Sequence, residues 1–113
     1  MCAENENRKQ TPQERAEFLN KSVRYVANSA ICEFHESNGA YWDYNIRDKI
    51  IPCVIILLDS LKAQFYYWDP PLNEKIGEIE LIIVALKKLQ HSQPTKKTQV
   101  TEPLDLVLRF TYD

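Results

Sequence analysis

The chain has 113 residues, the size of one domain, and its 44% apolar and 27% charged residues make an ordinary globular balance. A formal net charge of −2 gives no electrostatic reason to seek nucleic-acid phosphates or an anionic membrane. Only two glycines, Gly39 and Gly77, are present, which excludes phosphate-cradling loops and glycine-built oxyanion turns.

The first residues, MCAENENRKQ, are polar and lack the apolar stretch of a secretory leader, so 1–10 reads as a flexible tail and 11–113 as a single interaction domain. A helix start follows. Thr11 is placed as N-cap, Pro12 at the first helical position and Glu14 as the return arm of a capping box. Leu19, Val23, Val26, Ala27, Ala30 and Phe34 then recur at the spacing of one buried stripe, and SNG stops the helix near Ser37.

AYWDYNIRDK shows no period and reads as an aromatic loop. The stretch IPCVIILL is apolar and β-branched, fit for a strand covered on both faces. The run from Cys53 to Leu58 is too short to span a bilayer. LKAQFYYW alternates, with Leu61, Ala63, Phe65 and Tyr67 on one side and Lys62, Gln64, Tyr66 and Trp68 on the other. Asp59 and Ser60 would form the turn between two strands. On a helix, Asp59, Ser60, Lys62 and Gln64 would fall at widely separated angles rather than on one solvent face.

After DPP, Ile76, Ile79, Ile83 and Leu86 mark a second helix, with Glu74, Glu78 and Glu80 early and Lys87, Lys88 and His91 late, as the helix dipole favours. QPTKKTQVTEP reads as a polar linker. LDLVLRFTYD alternates, with Leu104, Leu106, Leu108, Phe110 and Tyr112 facing one way, and is expected to join the hairpin as a third strand. The predicted fold class is therefore α+β: long helix, central hairpin, second helix and terminal strand. The alternative is a three-helix bundle with a C-terminal strand.

CVIILLD, a turn and AQFYYW resemble the central hairpin of the HORMA domain, the adaptor fold of spindle-checkpoint, translesion-polymerase and meiotic-axis proteins. NEKIGEIELIIVALKKL and LDLVLRFTYD are similar to that family's next helix and strand, and FLNKSVRYVANSAICEFHE is similar in character to its first long helix. The resemblance implies a non-catalytic adaptor working in a heteromeric protein complex. The family's C-terminal safety belt has no counterpart before Asp113, so edge-strand pairing rather than belt closure is the implied mode of capture.

Three other chemistries compete with that reading. Cys32 and His35, with Cys53 and His91, supply one close ligand pair where a structural zinc site normally shows two. The same residues as a cysteine–histidine nucleophile lack backbone donors for a developing charge. Tyr66, Tyr67 and Trp68, with Tyr41, Trp42 and Tyr44, offer a stacking platform for single-stranded RNA without the basic groove such platforms occupy. The alternative function is accordingly an RNA reader using Tyr66 and Trp68. Lys87-Lys88 and Lys96-Lys97 read as solvated charges.

The expectation is thus an adaptor without catalytic residues, metal or cofactor. It would bind a protein partner through Tyr66, Trp68, Asp105, Val107, Arg109 and Thr111, with no membrane and no direct nucleic-acid contact. Three cysteines (Cys2, Cys32, Cys53) with no sign of export place it in the cytoplasm or nucleus, with free thiols.

Overall fold

A computed structural model describes residues 10–40, 42–92, 94 and 96–112, with the backbone alone for Asp43 and Tyr44. Of the described residues 85% are helical and none is in a strand. The elements are α1 (Pro12–Ser37), a π-helical segment (Trp42–Ile50), α2 (Ile51–Tyr66), α3 (Asn73–Gln90) and α4 (Lys97–Tyr112).

Helix α1 forms as its ends dictate. The Thr11 hydroxyl accepts from the Glu14 N–H at 3.1 Å, and the Glu14 carboxylate accepts from the Thr11 N–H at 3.2 Å. At the other end Asn38 takes the left-handed conformation (φ 54°) and Gly39 follows at φ 86°, so their N–H groups return to the carbonyls of His35 and Phe34. Val23, Ala27 and Ala30 are buried with Ala16, while Leu19, Val26 and Phe34 pack partly buried beside them.

The predicted hairpin is a helix. In α2, Ile51, Val54, Leu58, Leu61 and Phe65 are buried at alternating spacings of three and four, the stripe of a helix packed on one side. The scattered polar residues that argued for strands answer different neighbours. Gln64 turns to α1 and accepts from Arg15 Nε at 2.8 Å, whereas Lys62 pairs with Asp59 along α2 itself at 3.3 Å. Cys53 and Ile56 lie on the solvent side, which left the segment with no polar face to read.

The terminal strand is also a helix. Val100, Leu104, Val107, Phe110 and Thr111 are the buried residues of α4, whereas Leu106 and Tyr112, expected inside, are exposed. Much of the expected linker belongs to α4, which begins at Lys97 and carries Pro103 in its interior. A proline there cannot donate to the Gln99 carbonyl, which is why it reads as a breaker. The α+β class, the bundle with a C-terminal strand and the HORMA-like description are all replaced by an all-helical fold. The residues quoted for that family's hairpin lie in α2 as far as Tyr66, and those for its last strand lie in α4 as far as Tyr112.

The aromatic loop is helical too. Trp42, Ile46 and Ile51 are buried at spacings of four and five, in keeping with the i→i+5 bonding of the π segment. Pro52 follows at once, and its ring would crowd the carbonyl of residue 48 in a tight α-turn.

Each of α1 and α3 packs against both α2 and α4, so the four helices form a ring around one core. Neighbours run antiparallel: Arg15 meets Gln64, Asn20 and Arg24 meet Thr111, and Lys75 meets Phe110. Fully buried Leu58, Leu61, Ile79, Leu86, Leu104 and Val107 fill the interior. Each such side chain contributes about 1.5–3 kcal/mol of transfer free energy.

Gly77 is exposed on α3, and a Cβ built there meets nothing within 4 Å. A glycine inside a helix costs about 0.5–1 kcal/mol relative to alanine. Gly77→Ala is therefore expected to raise the unfolding free energy by about that amount in a urea titration. A variant no more stable than the parent contradicts the helical, unobstructed setting of this residue.

Candidate functional site

One end of the bundle gathers the start of α1, the end of α2, the connection 67–72, the start of α3 and the last turn of α4. They enclose a cleft of about 360 Å³. Its walls are Ala16, Phe65, Trp68, Leu72 and Phe110, Thr111 lies in its floor, and its lip carries Gln13, Glu17, Asn20 and Lys75.

The wall begins where α2 stops. The Phe65 carbonyl accepts from the N–H groups of both Trp68 (3.4 Å) and Leu72 (3.3 Å), folding the connection back over the helix end. The Phe65 and Trp68 rings meet edge-on at 5.6 Å and 77°. Trp68 Nε1 is enclosed and has no hydrogen-bond partner among the described residues, as is Trp42 Nε1 in the core. An unpaired buried donor costs about 1–3 kcal/mol, so any carbonyl that reached Trp68 Nε1 would be favoured.

The floor is fixed by α1. The Thr111 carbonyl accepts from Asn20 Nδ2 and from the Arg24 guanidinium, each at 2.6 Å. The Thr111 hydroxyl donates to the Leu108 carbonyl at 2.8 Å and accepts from Arg24 Nε at 3.3 Å. The Arg24 guanidinium also lies 4.1 Å from the Tyr112 ring centroid. Side chains of α1 thus satisfy a C-terminal carbonyl of α4 that its own helix leaves open. Across the cleft, Lys75 Nζ sits 5.1 Å from the centre of the Phe110 ring.

Of the residues expected to bind a partner, Trp68 and Thr111 are brought together here. Thr111 is itself buried and acts through its position in the floor. Tyr66 is exposed at the end of α2 and Val107 is fully buried in the core. Asp105 and Arg109 form an exposed pair one turn apart at 3.2 Å. Tyr66 and Trp68 do not share a platform: one faces solvent while the other packs on Phe65. Trp42 is core; Tyr41 and the Tyr44 side chain lie outside the described residues. Nothing in the sequence marked Ala16, Lys75 and Phe110 as neighbours, because three separate helices must pack before they meet.

Elsewhere, Cys32 is exposed on α1, as is Cys53 on α2. Among the described residues no three His, Cys, Asp or Glu side chains cluster as metal ligands, and no helix is long and apolar enough to cross a membrane. At the other end of the bundle Arg47, Asp48, Gln90, His91 and Ser92 line a polar recess. There the hydrogen bond from Arg47, at 2.9 Å, holds the exposed Asp48 carboxyl below its usual range. Phe18, Tyr25 and Ile56 are large apolar side chains exposed on α1 and α2. No known family, curated protein or solved structure matches this chain.

Proposed function

We propose that this chain is a non-catalytic adaptor or complex subunit that binds a protein partner by taking an apolar anchor side chain into the cleft beside Trp68. Sheet-edge pairing has no sheet to act on, and helix ends take its place. The observation that carries this reading is the cleft itself: two phenylalanines, a tryptophan, a leucine and an alanine around a volume suited to one large side chain. Such an apolar recess removes much of a guest side chain from water, and binding energy in protein interfaces concentrates at anchors of that kind. Glu17 and Lys75 on the lip offer opposite charges to orient the guest. Exposed free thiols at Cys32 and Cys53 fit the reducing cytoplasm or nucleus.

A randomised peptide library displayed against the full chain tests the proposal. Selected peptides are expected to share an aromatic or branched aliphatic residue and to shift the Trp68 indole N–H resonance. Gln13→Trp places bulk at the exposed lip without entering the core, and is expected to weaken them at least about 10-fold. Peptides that bind parent and variant equally, or a selection that enriches none, would overturn it.

A further inference from the structure

Outside the cleft, α3 and α4 leave a second groove of about 390 Å³, lined by Glu78, Leu81, Ile82, Leu106, Arg109 and Phe110. Leu81 is 73% exposed and Leu106 42% exposed, so two leucines stand on its rims with no cover from their own chain. The rims also carry opposite charges, Glu78 from α3 and Arg109 from α4. Among the described residues Glu78 has no ion-pair partner, and Arg109 is held only by the exposed Asp105 one turn back. An exposed pair of that kind is worth under about 1 kcal/mol and is readily exchanged.

We propose that a second copy of this chain docks on this groove, related by a two-fold axis. In such an interface a residue i that meets j is met by j from the partner. One acid and one base on opposite rims therefore give two ion pairs, Glu78 with the partner's Arg109 and Arg109 with the partner's Glu78. The leucines of one copy then fill the groove of the other. A groove of one charge sign would repel its own copy; this one is self-complementary. The proposal is independent of what occupies the cleft, and the variants below leave the shared Phe110 wall intact.

Sedimentation equilibrium on the full chain reads the outcome. The parent is expected to pass from monomer to dimer as its concentration is raised toward ~1 mM. Glu78→Arg and Arg109→Glu each set like charges face to face twice, and each is expected to weaken association at least about 30-fold. Mixed one to one, the two variants restore both attractions and are expected to associate with each other as tightly as the parent does with itself. Leu81→Asp is expected to abolish association while the circular dichroism stays that of the parent, since Leu81 is exposed in the single chain. A parent that stays monomeric at ~1 mM overturns the proposal. So does a dimer indifferent to these changes, or a mixture no tighter than either variant alone.

Discussion

Val107→Asp is expected to destabilise the fold by roughly 4 kcal/mol or more, while Asp105→Lys, two residues away, changes its stability little. Val107 is fully buried in the apolar core. The variant loses the burial of an apolar side chain and must either bury a charge or hold its carboxyl protonated, a combined cost of roughly 4 kcal/mol or more. That is a large share of the roughly 5–15 kcal/mol that keeps a domain folded. Asp105 faces solvent, and its pairing with Arg109 is the exposed kind worth roughly 0.3–0.5 kcal/mol. A strand would place the two positions on the same face and make them respond alike. Far-UV circular dichroism with a urea titration decides the matter: equal tolerance at both positions contradicts the helical packing of α4.

The elements legible in the sequence were those whose ends and faces agree. α1 carries a capping box, a glycine stop and one apolar stripe between polar flanks, and α3 has its isoleucine stripe with acids early and lysines late. Local and tertiary preferences coincide there, so periodicity was enough. In α2 they part. Its β-branched run has strand propensity, its solvent side carries Cys53 and Ile56, and its polar residues turn toward separate helices, so no single polar face marks the helix. In α4 the leucines at 104, 106 and 108 satisfy a period of two. The buried set at 100, 104, 107 and 111 satisfies a helix equally well, and packing against α1 and α3 selects the second. The π segment buries Trp42 and Ile46, and the next buried residue, Ile51 at the start of α2, comes five further on, a spacing that neither template matches. The cleft was legible only in part. Trp68 stood out as an aromatic anchor, but its placement depends on the chain reversing after Tyr66, and Ala16 and Phe110 reach it from opposite ends of the sequence.

Ser60→Pro is expected to cost about 3 kcal/mol or more, and Ser60→Ala to be neutral or to stabilise by a few tenths. Ser60 is the tenth residue of the sixteen in α2. A proline there removes the N–H that bonds to the Ile56 carbonyl and drives its ring against that carbonyl. The break would fall between Leu58 and Leu61, both fully buried, in a helix that packs on α1 and on α3. The damage therefore reaches two interfaces rather than one. Alanine keeps the N–H and raises helix propensity. A hairpin turn at Asp59-Ser60 predicts a different response to alanine, since a two-residue hairpin turn favours a left-handed backbone that alanine resists, so Ser60→Ala would destabilise rather than help. The readout is the urea midpoint of each variant together with Trp68 fluorescence. Trp68 is held on Phe65 at the end of α2, so a helix broken at residue 60 loosens the cleft wall as well as the core. A proline variant with the parent's midpoint and emission is incompatible with a continuous α2, and with a cleft that depends on where α2 ends.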